Sequence, residues 1–277
     1  MTDRYAVIGN PIAQSKSPLI HSAFAQVTGQ DIDYGKLLGP LGEFAATVDA
    51  FRASGGRGMN VTAPFKLDAF AYATDLAPSA QMAGAVNAMK FEGGKVYAEN
   101  FDGVGLVRDL VHNLACPLKG RRVLILGAGG ATRGALLPLL AEQPAELVIV
   151  NRTVAKAQEL AALAQQHQSG QVPVQGLGYA DLQGQAFDVV LNASSSSLSA
   201  ELPPLPASVF APGCLAYDLT YGKGLTPFLK LAQHAGVTQL ADGVGMLAEQ
   251  AAEAFAWWRG VRPDTAAVIA QLTVPLV

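Results

Sequence analysis

Arg122-Val123-Leu124-Ile125-Leu126-Gly127-Ala128-Gly129-Gly130-Ala131-Thr132-Arg133-Gly134 is the stretch from which the fold of this chain can be read. Val123 to Leu126 is short, continuously apolar and partly β-branched, the composition of a buried parallel strand. The glycines after it let the backbone approach a pyrophosphate. Ala135-Leu136-Leu137 and Leu139-Leu140 continue as a helix whose N-terminal N–H groups and dipole favour phosphate charge. A strict G-x-G-x-x-G has glycine where this chain has Thr132, so the spelling alone is a weak match. The context strengthens it. Leu147 to Val150 reads as a second strand. Asn151-Arg152-Thr153 stands at its end, about 20 residues beyond the first glycines, where an NAD site places Asp or Glu on the ribose 2′-hydroxyl. Arg152 cannot accept that hydrogen bond but can pair with a 2′-phosphate, and Lys156, one helical turn on, adds a second cation to the same face. The segment therefore predicts NADP(H) and a redox enzyme. The plainer alternative is two solvated charges opening a surface helix.

A chain of 277 residues suits two domains, and a hydrophobic content of 50% supplies two cores without disulfides. A charged fraction of 15% and a net charge of −3 leave no electrostatic footprint for nucleic acid or an anionic membrane. The amino terminus lacks a signal-peptide pattern, and no apolar run approaches the length of a membrane span, so a cytoplasmic protein is expected. Cys116 and Cys214 lie far apart and outside any C-x-x-C pattern. His21, His112, His167 and His234 are isolated, so no metal site is expected.

Strands and helices alternate from the start of the chain. Tyr5 to Gly9 reads as a strand and Pro18 to Thr28 as a helix stopped by Gly29. Gly35 to Leu38, Glu43 to Ala53 and Gly58 to Thr62 repeat the alternation, and Asn87–Phe91 with Lys95–Ala98 have hairpin spacing. Further strands are read at Val172–Val174, Asp188–Leu191 and Cys214–Leu219, and a last helix at Met246–Arg259. Ser194–Ser199 and Pro203–Pro206 read as loops. The fold class is α/β with two domains. Residues 1–102 plus 241–277 are expected to form an α/β substrate domain and residues 103–240 a doubly wound Rossmann-type NADP-binding domain.

Two corners of the first domain carry reactive groups where strands meet helices, Asn60-Val61-Thr62-Ala63-Pro64-Phe65-Lys66 and Asn100-Phe101-Asp102-Gly103. A lysine and an aspartate brought together in a cleft would form a charge pair, the carboxylate orienting the ammonium as proton donor to a developing alkoxide. The bland alternatives are a solvated Lys66 and an Asp102 that only caps the following helix. In Ser15-Lys16-Ser17-Pro18, Ser17 is expected as N-cap with Pro18 at the first helical position, and the two hydroxyls suit a small carboxylate.

In this order the motifs resemble the shikimate dehydrogenase family, in its NADP-dependent branch. The likeness runs from Gly9-Asn10-Pro11-Ile12 through Ser15–Pro18, Asn60–Lys66, Gly84-Ala85-Val86-Asn87, Asn100–Gly103, the glycine turn and Asn151–Thr153. It continues through Tyr217-Asp218, Tyr221 and Ala241-Asp242-Gly243 to Gly245-Met246-Leu247. The resemblance implies reversible reduction of 3-dehydroshikimate to shikimate by NADPH, with Lys66 and Asp102 as the catalytic pair. It implies that Ser15, Ser17 and Tyr221 hold the substrate carboxylate and that Thr62, Asn87, Asp102 and Gln250 bind ring hydroxyls. Cofactor contacts are implied for Gly127, Ala128, Gly129, Gly130, Ala131, Asn151, Arg152, Thr153 and Lys156, with Leu219, Gly243 and Met246 near the nicotinamide. The expected state is a monomer or homodimer. Where the family usually has Asn-Thr-Asp-Gly, Phe101 replaces the threonine. Its ring either faces the substrate and alters specificity or points into the core. Milder departures are Ala88 and Ser194, each where threonine is common. Two rivals are an enzyme of the same fold that also takes quinate or NAD, and a non-catalytic nucleotide sensor. Arg152 disfavours the NAD preference, and retention of Lys66, Asp102, Ser15, Ser17 and Gln250 disfavours the sensor.

Overall fold

The computed structural model describes residues 2–194, 204–222 and 224–276, so the loop expected at Ser194–Ser199 lies, beyond its first residue, outside the described residues, as does Pro203 of the loop expected at Pro203–Pro206. The chain divides into two compact units, residues 1–105 with 248–268 and residues 106–247 with 269–277. These bounds correct the expected ones, because 103–105 fall in the first unit and 241–247 with 269–277 in the second. The reason is pairing and packing: Ala241 and Asp242 continue a strand hydrogen-bonded to the second sheet, and Leu276 packs against the second core.

The first unit carries β1 (Asp3–Gly9), α1 (Ser17–Thr28), β2 (Ile32–Leu38), α2 (Phe44–Ala53), β3 (Gly56–Val61), α3 (Lys66–Tyr72), β4 (Asp75–Leu76), α4 (Pro78–Ala83), β5 (Ala88–Glu92) and β6 (Lys95–Glu99). Its sheet runs β2-β1-β3-β5-β6-β4, with β1 parallel to β2 and β3, and the expected β5–β6 hairpin antiparallel. Strand alternation builds a core on each face. Ala6 and Ile8 join Phe44, Val48, Met59 and Phe65 on one side, while Tyr5 and Val7 join Ile12 and Tyr34 on the other. Helix α1 ends as expected at Gly29, which is left-handed at φ 65°.

The second unit takes over within α5 (Asp102–Arg108), which runs into a π-turn at Asp109–Asn113. There follow β7 (Arg122–Leu126), α6 (Gly130–Ala141), β8 (Glu146–Val150), α7 (Val154–His167), β9 (Val174–Leu177), β10 (Phe187–Asn192), β11 (Phe210–Asp218), α8 (Pro227–His234) and β12 (Gln239–Asp242). The sheet order β9-β8-β7-β10-β11-β12 is wholly parallel and doubly wound, with β7 beside β10 at the point where the order reverses. Helix α9 (Val244–Arg259) and α10 (Ala266–Leu272) close the chain. The expected strand at Val172–Val174 begins instead at Val174. The Gln168 side chain clasps both the N–H and the C=O of Val172, and Pro173 has no N–H to give a ladder. Cys116 and Cys214 are free and buried, and burial pushes the Cys214 thiol up to about 12. Among the described residues no helix is long and apolar enough to cross a membrane.

His21, on α1, is wholly buried in the second face of the first unit. It stacks on Tyr34 at 4.3 Å and lies 5.4 Å from the Trp258 ring. Neither ring nitrogen makes a well-formed hydrogen bond, and burial pulls the pKa from 6.5 down to about 3 against a weaker opposing pull from Asn60. Between those values the unfolded chain takes up a proton that the folded one refuses. The stability tied to a neutral His21 is therefore complete above the unfolded pKa and is lost as pH falls toward 3, by at most about 1.4 kcal/mol per pH unit. Urea midpoints for wild type and His21→Phe at roughly pH 7 and roughly pH 5 test this. The variant is expected to lose less stability on acidification, and equal losses would exclude His21 as the source.

Candidate active site

The corner after β3 is built by backbone pairing first. The Thr62 N–H donates to the Ile8 carbonyl at 3.0 Å, the Phe65 N–H to the Thr62 carbonyl at 3.0 Å, and the Phe65 ring is sealed in the core. Lys66 is thereby the first residue of α3, and the Val86 N–H donates to its carbonyl at 3.0 Å. Its ammonium donates to Asp102 Oδ2 at 2.5 Å, with the lysine and aspartate side chains 35% and 19% exposed. Such a pair is dry enough to hold its geometry and open enough to meet a ligand. Asp102 opens α5, and its N–H is held by Asn100 Oδ1 at 3.1 Å, so Asn100 supplies the cap and leaves the Asp102 carboxylate to Lys66.

Asn87 occupies the other carboxylate oxygen, donating from Nδ2 to Asp102 Oδ1 at 2.8 Å and lying 3.5 Å from Gln250 Oε1. Its own Oδ1 accepts the Phe101 N–H at 2.9 Å. The Phe101 ring packs edge-on against Trp257, centroids 5.8 Å apart. Both rings are half-buried, and neither belongs to the buried core. Ser15 and Ser17 lie together, with Oγ atoms 3.3 Å apart. The expected cap is corrected here: Ser17 is the first helical residue, and it is the Ser15 hydroxyl that accepts the Ser17 N–H, at 3.3 Å. The N-cap position itself is Lys16, whose side chain makes no capping hydrogen bond. Thr62 is half-buried directly after β3. Asn60 was not among the expected residues, yet it is 6% exposed and donates to the Asn87 carbonyl at 3.3 Å. Its signal was strand alternation, which sets Asn60 and Thr62 on one face.

In the second unit the Gly127 N–H donates to the Val150 carbonyl at 2.8 Å, setting the turn against the end of β8. Gly127 sits at φ 100°, and a Cβ there would lie 3.1 Å from the Ser194 backbone, so only glycine fits. Ala128 and Gly129 lead into α6, which starts at Gly130 and Ala131 with open space where Cβ atoms of Gly129 and Gly130 would stand. Thr132 explains the departure from the strict glycine spelling. It is fully buried, and its hydroxyl donates to the Gly127 carbonyl at 2.7 Å, tying the turn to the first turn of the helix. At the end of β8, Asn151 Nδ2 donates to the Thr153 carbonyl at 3.0 Å, Arg152 is exposed beside Tyr179, and Lys156 is exposed one turn into α7. Leu219 and Gly243 meet so closely that a Cβ on Gly243 would lie 2.3 Å from the Leu219 carbonyl. Met246 is half-buried in the first turn of α9, and Tyr221 is 42% exposed after β11.

The structure thus gathers Lys66, Asp102, Asn87 and Gln250 into one contact group and Ser15 with Ser17 into another, all in the first unit. The glycine turn, Asn151–Lys156, Leu219, Gly243, Met246 and Tyr221 belong to the second. Among the described residues no group of three or more His, Cys, Asp or Glu could hold a metal ion. A doubly wound sheet with a glycine turn and an exposed arginine just past the end of its second strand, joined in one chain to a unit bearing a lysine–aspartate pair, defines a two-domain dinucleotide-dependent oxidoreductase.

Family models agree with that class and narrow it. The shikimate dehydrogenase substrate binding domain matches residues 7–89, shikimate / quinate 5-dehydrogenase residues 109–200, and the shikimate 5′-dehydrogenase C-terminal domain residues 243–273. The shikimate dehydrogenase (NADP(+)) of Chromobacterium violaceum is 57% identical over 96% of each chain. An Ael1 enzyme from Pseudomonas putida has a crystal structure with TM-score 0.95 and 59% identity, each chain covered completely. Shikimate 5-dehydrogenase from Thermus thermophilus, solved with NADP(H) and shikimate, gives TM-score 0.83 at 30% identity over 97% of this chain and 98% of that one. The chain belongs to the shikimate dehydrogenase family.

Gly127→Ala is expected to cost about 1–2 kcal/mol in urea denaturation, the penalty of a side chain in left-handed backbone, with contact against Ser194 adding to it. Wild-type stability would show that the turn relaxes freely.

Proposed function

We propose that this chain catalyses the reversible reduction of 3-dehydroshikimate to shikimate with NADPH, working in the cytoplasm as a monomer or homodimer, a setting that two reduced, buried thiols suit. The observation that carries the reading is the 2.5 Å contact between Lys66 and Asp102, with Asn87 on the second carboxylate oxygen, in a chain of this family. NADPH, when bound, supplies the hydride. The residues present suit it. Open space at Gly129 and Gly130 admits a pyrophosphate to the start of α6, and Arg152 with Lys156 offers two exposed cations to a 2′-phosphate. Ala128, Ala131, Asn151 and Thr153 would line the same edge, and Leu219, Gly243 and Met246 would border the nicotinamide.

Residues 1–102 with the returning part of α9 act as the substrate domain, and the doubly wound unit as the NADP-binding domain. Ser15, Ser17 and Tyr221 hold the substrate carboxylate, while Thr62, Asn87, Asp102 and Gln250 bind ring hydroxyls. As the carbonyl oxygen gains negative charge, the Lys66 ammonium donates its proton to it. Asp102 keeps that ammonium aimed and balances its charge. In the reverse direction the same pair takes the hydroxyl proton.

Lys66→Ala is expected to lower kcat by at least about a hundredfold, the usual share of a positioned proton donor, and to leave NADP(H) affinity nearly unchanged. Steady-state absorbance of NADPH with a parallel fluorescence titration reads both, and wild-type turnover would remove Lys66 from the chemistry. Arg152→Ala should reduce the preference for NADP over NAD by about ten- to a hundredfold in kcat/KM, the loss of a charged hydrogen bond. An unchanged ratio would mean that the 2′-phosphate is read elsewhere.

A further inference from the structure

Of the motifs read from the sequence, Tyr217-Asp218 has no part in the reaction described above, yet both residues are fully buried. Tyr217, near the end of β11, donates from its hydroxyl to Asp109 Oδ2 at 2.8 Å. The same hydroxyl oxygen accepts from the backbone N–H of Met246. Asp109 is 3% exposed, and its Oδ1 accepts from Asn113 at 2.9 Å within the π-turn. The carboxylate rests on the first turn of α9, so close that a Cβ on Gly245 would lie 1.8 Å from Oδ1. The residue before α9 is Gly243, which has no side chain to cap it, and the N–H groups of a first turn find no partner within their own helix. Asp242 Oδ1 takes the Val244 N–H at 3.2 Å, and the Tyr217 hydroxyl takes that of Met246. A carboxylate behind that hydroxyl suits the positive end of the helix. Burial, with the Asp109 charge adding to it, raises the phenol well above its ordinary pKa, so it stays protonated and remains a donor. Asp218 ties down the turn that follows, accepting the Thr220 N–H at 3.0 Å and the Thr226 hydroxyl at 2.6 Å.

We infer that Tyr217, held by Asp109, is a positioning residue for the nicotinamide: its hydroxyl fixes the first turn of α9, and with it Met246, against the end of β11 that leads into Leu219. The inference rests on the functional reading above, in which Leu219 and Met246 border that ring. Every group in this network lies in the second unit. The pyrophosphate and the 2′-phosphate are assigned to other residues, so loosening Met246 weakens the hold on one end of the cofactor and spares the other.

The test compares dissociation constants of the full chain for NADPH and for adenosine 2′,5′-bisphosphate, which carries the 2′-phosphate and lacks the nicotinamide. Tyr217→Phe is expected to raise Kd for NADPH about three- to tenfold, the worth of one buried hydrogen bond, and to leave Kd for the bisphosphate within about twofold of wild type. A merely structural role would lower the fraction of protein that binds, with both constants unchanged, and that result overturns the inference, as does an equal rise in both. Tyr217→Phe takes a partner from a buried carboxylate, a destabilising change in itself, so it is also combined with Asp109→Asn, which removes the charge and keeps the shape. The combined variant should show the same selective rise, and wild-type constants in it would overturn the inference. Met246→Ala separates this inference from the reading beneath it. If that variant weakens NADPH alone and the tyrosine variants do not, the positioning role fails while the nicotinamide assignment stands. If Met246→Ala is neutral and the tyrosine variants are selective, the Met246 assignment fails and the positioning role stands through Leu219. Neutral behaviour in all of them would sink both.

Discussion

Asn87 is a buried amide, 3% exposed, in which every polar group is engaged, and the first unit is arranged to satisfy it. Its N–H donates to the Glu99 carbonyl at 3.0 Å, and its C=O accepts from the Val61 N–H at 2.8 Å and from Asn60. Its side-chain oxygen takes the Phe101 N–H and its amide nitrogen holds Asp102. An unsatisfied buried polar group costs about 1–3 kcal/mol, so rotation or displacement of this one residue would leave several groups unpaired at once. β3, β5, β6 and the start of α5 are thus referred to one point. The Asp102 carboxylate inherits its orientation from an amide that has no alternative position.

The second unit obeys a different constraint, that of backbone closeness. Its strands are buried on both faces, and the turn after β7 lies so close to the backbone at Ala193 and Ser194, just after β10, that Gly127 must do without a side chain. Thr132 then does with a hydroxyl what a third glycine does by absence elsewhere. It gives up close packing and gains a hydrogen bond to the turn it follows.

Much of this was legible from sequence because it is local. The apolar run before the glycines, the apolar run Tyr5–Ile8 in β1 and the hairpin spacing around Gly93-Gly94 all act within a few positions, and each element formed. The contacts that escaped are long-range. Tyr34 meets Asn60 across 26 residues and Asn87 nears Gln250 across 163, and no periodicity announces either pairing. Ser17 was expected to cap α1 because serine before proline is a common cap. Ser15, two residues earlier, reached the N–H instead, and a Ser-x-Ser spelling cannot choose between them. The division between units moved because β12 is a short strand whose membership depends on a partner, β11, rather than on its own composition. The roles assigned to Lys66, Asp102, Asn87 and the serines came from motif order, whereas the contact between Tyr34 and Asn60 needed the folded chain.

The two cysteines have a use unconnected with chemistry at either site. Cys116 and Cys214 are 3% and 2% exposed, both lie in the second unit, and the chain has no others. With burial raising both thiols, alkylation in the folded state is negligible, and modification waits for the surrounding structure to open. A thiol reagent therefore acts as a clock on the nucleotide-binding half alone, silent to anything that loosens the half that carries Lys66. Ligands that tighten one unit can be told from those that tighten the other by mass spectrometry of an untagged, unmutated chain.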